Sequence, residues 1–224
     1  MRYENWNDYF YPGTRTLRNL FVERDPDILA EREQEASRLR MRDLERHPVP
    51  GPFDMKHLCA VHQRIFRDVY EWAGKPRTVP WLDRMTKGGP DVVNFEPGDA
   101  AAPVVMYGYA PASVIEVMSQ ELFAHLADED ELVGLDRGTF IARLAYYWAE
   151  INTVHAFREG NTRTQSIFFG QLARQAGHPL NIALFAEDAE LRDAFVAARF
   201  YAQATADESR LATVLSQVYE WDIR

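Results

Sequence analysis

Hydrophobic positions recur at helical spacing along most of the chain, and the breaks between them fall at proline and glycine. Asp25-Pro26 supplies an N-cap and an N1 proline for a first helix to about Arg46. Its narrow stripe, Leu29, Ala36, Leu39 and Leu44, lies among many charges, as expected of an outer helix. After Pro48-Val-Pro-Gly-Pro52, Asp54 caps a helix predicted to reach about Trp72, with Leu58, Val61, Ile65, Val69 and Trp72 inward. Pro111 opens a third helix to about Leu126, its stripe being Val114, Val117, Met118, Leu122 and Leu126. A central helix from about Thr139 to Asn152 carries Phe140, Leu144, Tyr147, Trp148 and Ile151, widened by Ile141. A matching helix runs from Thr162 to Ala176, with Gly177 as its C′ residue and Pro179 beyond. Two more helices, 187–204 and 207–221, close the chain.

Between these helices lie two irregular stretches. Residues 8–19 are aromatic with a Pro-Gly turn and read as an arm packed on the body. Thr78 to Phe95 contains Pro80, Gly88-Gly89-Pro90 and the Val92, Val93, Phe95 group, and reads as a hairpin turning at the glycines. A connection of that length inside a compact domain tends to be functional. No internal repeat or low-complexity linker interrupts the pattern. The expectation is one nearly all-helical domain over 1–224: arm and outer helix to 50, core over 54–180, C-terminal helices over 181–224.

Composition adds exclusions. The formal net charge of −9 argues against a nucleic-acid or anionic-membrane partner. A single cysteine, Cys59, permits neither an internal disulfide nor a multi-cysteine metal site. His57 and His62 are five residues apart, not the i, i+4 spacing of a helical metal pair, and read as ordinary histidines. No apolar run approaches the roughly 18 residues of a membrane span, and the start lacks a signal-peptide hydrophobic region. A reducing cytoplasmic compartment is the expectation.

The chemistry concentrates in the loop His155 to Asn161, between the central helix and the one after it. Amides of a helix's first turn lack intrahelical partners and carry the positive end of the macrodipole, so an anion binds there cheaply. Gly160 permits close backbone approach or a positive φ. Glu159 suits a Mg²⁺ ion shared with phosphates, and Arg163 could add a charge-assisted bond to a phosphate. His155 could take the proton of a hydroxyl attacking phosphorus. The residues alone leave a plainer reading open: His155 bonded locally, Glu159 solvated, Gly160-Asn161 a simple turn.

His155, Phe157, Glu159, Gly160, Asn161 and Arg163 match in order and spacing the motif His-Pro-Phe-x-(Asp or Glu)-Gly-Asn-(Gly or Lys)-Arg-x-x-Arg, and so the chain resembles the Fic family. Ile65-Phe-Arg-Asp-Val-Tyr-Glu-Trp-Ala-Gly-Lys-Pro-Arg77 and the Tyr11-Pro-Gly-Thr14 arm extend the resemblance over most of residues 8–180. It implies an all-α, Fic-like helical bundle with a small β-hairpin flap. Lys87, Gly88 and Gly89 would lie on that flap, which pairs with an extended segment of a target protein. It implies AMP transfer from ATP to a protein hydroxyl, with His155 as base and Glu159 on Mg²⁺. Gly160, Asn161, Thr162 and Arg163 would surround the nucleotide. A toxin or delivered effector with a separate antitoxin is the expected setting.

Three positions depart from the motif: Ala156 for the proline, Thr162 for the glycine or lysine, and Ser166 for the final arginine. The last two leave two alternatives standing. One is a phosphotransferase like the Doc branch, or another phosphate-linked transferase, and the other is a non-catalytic scaffold that binds partners through flap and arm. Ser216-Gln-Val-Tyr-Glu220-Trp221 is a partial match to the family's inhibitory helix, with tryptophan in the last place. A separate antitoxin, or no inhibition of this kind, is expected instead.

Overall fold

The computed structural model describes residues 3–80 and 84–220. Among them the order is α1 (Pro26–Arg46), α2 (Met55–Phe66), β1 (Thr86–Pro90), β2 (Val104–Gly108), α3 (Ile115–Asp128), α4 (Arg137–Val154), α5 (Asn161–Gln175), α6 (Leu184–Glu187), α7 (Ala189–Thr205) and α8 (Ser209–Gln217). The protein is mostly helical, with one small antiparallel sheet.

α4 is the axis of the bundle, packed by α3, α5, α7 and α8. A helix enclosed on several sides needs apolar residues beyond one stripe. Phe140, Ile141, Leu144, Ala145, Tyr147, Trp148, Ala149 and Ile151 are accordingly all buried. α5 returns against it, with Phe169 stacked on Trp148 at 4.7 Å between ring centroids. Asp25, Asp54 and Asp136 each accept first-turn amide N–H groups, which sets the starts of α1, α2 and α4.

Several expectations are corrected. α2 ends at Phe66 rather than near Trp72. Val69 and Trp72 are buried as the stripe required, but on a returning turn, where Trp72 stacks on Tyr70 at 4.3 Å. Gly74 in that turn has φ +78° and donates its N–H to His62 Nδ1, and Pro76 disfavours helix just beyond. On α1, Leu39 is 61% exposed, so the buried side of that outer helix narrows to Leu29, Ser37 and Leu44. α3 buries Ile115, Ser119, Leu122, Phe123 and Leu126, and Val117 faces solvent. The last helix stops at Gln217, and Trp221 lies outside the described residues.

The hairpin differs most from its sequence reading. Gly88 and Gly89 are not its turn; they lie within β1, opposite Met106 and Val105 of β2. Residues 91–103 make the connection, and the Val92–Phe95 group is a turn in which Asp91 accepts from the Val93 and Asn94 amides. Gly-Gly-Pro reads as punctuation in a sequence, whereas an edge strand of a two-stranded sheet tolerates both residues. Gly89 has a packing reason to lack a side chain: a Cβ there would stand 2.7 Å from the Phe200 ring of α7. Part of the expected Thr78–Phe95 segment, residues 81–83, lies outside the described residues.

Candidate active site

His155 ends α4 in the left-handed conformation, φ +46° and ψ +59°. A non-glycine residue is strained there, and the surrounding bonds hold it. Arg77, fully buried, donates through Nε to the His155 carbonyl at 2.8 Å and through Nη2 to the carbonyls of Val154, at 3.1 Å, and Ala110. Its backbone N–H donates to the Ala156 carbonyl at 2.8 Å. One side chain thus satisfies carbonyls that the end of α4 leaves open, and ties them to the root of the sheet.

The loop is pinned from within. Asn161 accepts the Phe157 amide N–H at 2.9 Å and donates to the Phe157 carbonyl at 2.8 Å. Its side chain therefore builds the loop. Phe157 stacks on His62 of α2 at 3.9 Å. His62 Nδ1 accepts the Gly74 N–H at 2.7 Å, which leaves Nε2 as the donor to the Glu159 carbonyl at 3.1 Å. Burial pushes this imidazole down to about 3, so it is a neutral strut between the α2 turn and the loop. The sequence reading passed over it, since nothing in a spacing of five marks a histidine whose partners are 12 and 97 residues away.

Gly160 is required twice. Its φ is +77°, and a Cβ would lie 2.2 Å from the Phe66 ring. Glu159 accepts its neighbour's N–H, from Gly160 at 2.9 Å, and keeps a half-exposed carboxylate 3.8 Å from Arg163. Among the described residues no cluster of three metal-ligating side chains exists. Glu159 is the carboxylate of the 155–160 loop, the loop side chain that could offer a ligand to an ion.

Arg163 is engaged with α1 in this structure. Its guanidinium pairs with Glu33 and donates to Ser37 Oγ at 3.0 Å, both on α1, and lies over the Phe66 ring. It fastens α5 to α1. On another side of α5, Thr162 Oγ1 accepts from Arg199 of α7 at 3.1 Å, a residue the sequence reading did not single out. Ser166, one turn further along, returns its hydroxyl to the Thr162 carbonyl at 3.0 Å.

The His155 ring is buried under Tyr109, which leaves β2 just before the α3 region. Its Nδ1 is fully buried, and the Asn152 backbone lies within interaction range of the ring. Burial, followed by the Arg199 and Arg77 cations, holds the imidazole well below its ordinary range, so it is neutral and keeps a lone pair at neutral pH. Lys87 is exposed in the middle of β1, opposite Tyr107, and its charge also reaches His155. Glu220 lies elsewhere: its N–H bonds the Pro179 carbonyl beyond the C-terminal end of α5, whereas Ser166 stands in that helix's second turn.

Fold and site together define a helical domain that presents a histidine, a carboxylate and a glycine turn between two core helices. The Fic/DOC family model matches residues 52–173, and the chain belongs to that family. It is 35% identical over 181 residues to the protein adenylyltransferase VbhT of Bartonella schoenbuchensis, covering 80% of this chain and 34% of that protein. A protein adenylyltransferase of Bartonella henselae is 32% identical over 182 residues, with 32% of its length covered. The chain thus spans about a third of these two relatives. The probable protein adenylyltransferase Fic of Salmonella typhimurium is 33% identical over 178 residues, 80% of this chain and 78% of that one.

Solved structures agree on the fold. The N-terminal Fic domain of an effector protein from Bartonella sp. AR 15-3 superposes with a TM-score of 0.79 at 26% identity, over 98% of this chain and 95% of that one. The BepC effector of Bartonella tribocorum, solved with bound AMPPNP, gives 0.78 at 22% identity, over 96% and 98% of the two chains. Among the described residues no helix is long and apolar enough to cross a membrane.

Proposed function

We propose that this chain is a protein adenylyltransferase, transferring AMP from ATP to a hydroxyl of a target protein. The carrying observation is His155: a neutral imidazole at the left-handed end of α4, with five residues between it and Asn161, the first residue of α5. The names of the relatives and the nucleotides in solved neighbours support the same reading. Gly160 and Thr162, with the free amides of the first turn of α5, form the phosphate cradle, and Asn161 holds it in shape. Glu159 would hold a Mg²⁺ ion, which would supply neutralisation of phosphate charge. His155 takes the proton of the incoming hydroxyl as its oxygen bonds to the α-phosphorus and the bond to the β-phosphate breaks, releasing pyrophosphate.

The target lies along β1 and β2 through main-chain bonds, with Lys87, Gly88 and Gly89 at that edge. Tyr109 leaves the His155 ring when the hydroxyl arrives, since the imidazole is covered in this closed form. Delivery as an effector fits the names of solved neighbours, a separate antitoxin holds the chain in check, and the domain spans 1–224. The test is transfer of label from α-labelled ATP to lysate proteins by wild type and by His155→Ala. Labelling confined to the wild type is expected, and equal labelling by both overturns the assignment.

Two observations favour other readings. Thr162 and Ser166 remove a glycine and an arginine that AMP transfer uses in the family motif, which favours transfer of the γ-phosphate. Label passing from γ-labelled but not α-labelled ATP would select it. The covered His155 favours a scaffold without activity, which requires no heat of binding with Mg-ATP in calorimetry.

A further inference from the structure

Arg199 is 5% exposed, on the inner face of α7, and makes no ion pair with any carboxylate among the described residues. Nη1 donates to Thr162 Oγ1 at 3.1 Å and, at a long 3.4 Å, to Asn152 Oδ1; Nε is buried without a partner. The guanidinium stands over the Phe195 ring at 4.6 Å. A buried cation with neutral neighbours and an unused donor is an expensive arrangement. Nor does its position offset that: it lies against the first turn of α5, the positive end of that helix, where a second positive charge is repelled. Dipole and guanidinium have the same sign, and an anion between them relieves both.

Ser166, one turn along the same face as Thr162, is small, buried and bonded back to its own helix. The Arg199 charge also acts on the buried His155 ring.

We propose that Arg199 is a phosphate-binding residue of the nucleotide site, reaching from α7 to the anion held at the N-terminus of α5. The α5 position that could have carried this charge, Ser166, leaves room for it. This rests on the reading of the site as a nucleotide site, and the test separates the two.

Calorimetry with Mg-ATP and with adenosine is run on wild type, Arg199→Met and Arg199→Gln. Glutamine keeps an N–H donor towards Thr162 and Asn152 without the charge, and decides the matter where the methionine variant does not fold. The expected result is an ATP affinity lowered about tenfold or more in both variants, with adenosine unchanged within about twofold. Ser166→Arg placed in the Arg199→Met background is expected to recover most of the ATP affinity. Without ligand, Arg199→Met is expected to melt no lower than wild type, because an uncompensated buried charge has been removed. Equal ATP affinity in wild type and variants, or parallel losses for ATP and adenosine, overturns the proposal and makes Arg199 structural. No ATP binding by the wild type overturns the nucleotide reading itself.

Discussion

The ring of Tyr109 lies over that of His155, with centroids 3.6 Å apart and planes 15° from parallel. Tyr109 also donates its N–H to the Met85 carbonyl at 3.0 Å and accepts from Arg84 Nε at 2.7 Å. The same residue that covers the imidazole thus continues the pairing of the sheet, so access to His155 is tied to the position of the hairpin. Removing the ring in Tyr109→Ala should raise modification of His155 by diethyl pyrocarbonate about tenfold, whereas Tyr109→Phe, which keeps the stack, should not. Mass spectrometry of the labelled peptide reads this. Equal labelling in all three proteins would mean that Tyr109 does not control access.

Gly160→Ala should destabilise the chain by about 2–4 kcal/mol, since φ +77° and a Cβ 2.2 Å from Phe66 both act against it. Adding Phe66→Ala relieves the collision and leaves the backbone term, so the double variant should lose less than the sum of the singles. Urea unfolding measures each. Simple additivity would contradict the close approach.

His62 and His155 both fold as neutral imidazoles, His62 pushed down to about 3 and His155 held well below its ordinary range, in each case chiefly by burial. Unfolded, each takes a proton near pH 6.5. Below that pH the unfolded chain binds more protons, so stability falls as pH falls, by about 1.4 kcal/mol per pH unit for each histidine until its folded pKa is reached. Urea unfolding between pH 7 and pH 5 should show this slope, and His62→Gln should lose about half of it. A chain that gained stability on acidification would rule it out.

Arg163→Met should cost about 1–3 kcal/mol of stability by leaving Glu33 and Ser37 without their partner. Its ATP affinity should stay within about threefold of wild type, since the guanidinium is committed to α1. A tenfold loss of affinity with stability intact would place Arg163 on the nucleotide instead.

Much of this was legible in the residue order, because helical periodicity and capping are local. Asp25-Pro26, Asp54 and Gly177 mark ends that the structure keeps. The loop from His155 to Asn161 was legible too, since a left-handed glycine before a helix start is a short-range feature. The flap was not. β2 lies 13 residues beyond β1, and which strand meets which is decided by packing of Gly89 on Phe200, over a hundred residues further along the chain.

From the sequence alone came the family, the helices and the loop that carries the chemistry, since each depends on residues a few positions apart. Only the tertiary structure decided where the charges around that loop are spent. Arg163 and Arg199 are alike as letters, yet one is neutralised by Glu33 on α1 and the other is buried beside Thr162 with no carboxylate partner among the described residues. The burial that keeps His155 neutral, and the Tyr109 ring that covers it, likewise exist only once distant segments meet, because desolvation belongs to the packed interior and not to any one stretch of chain.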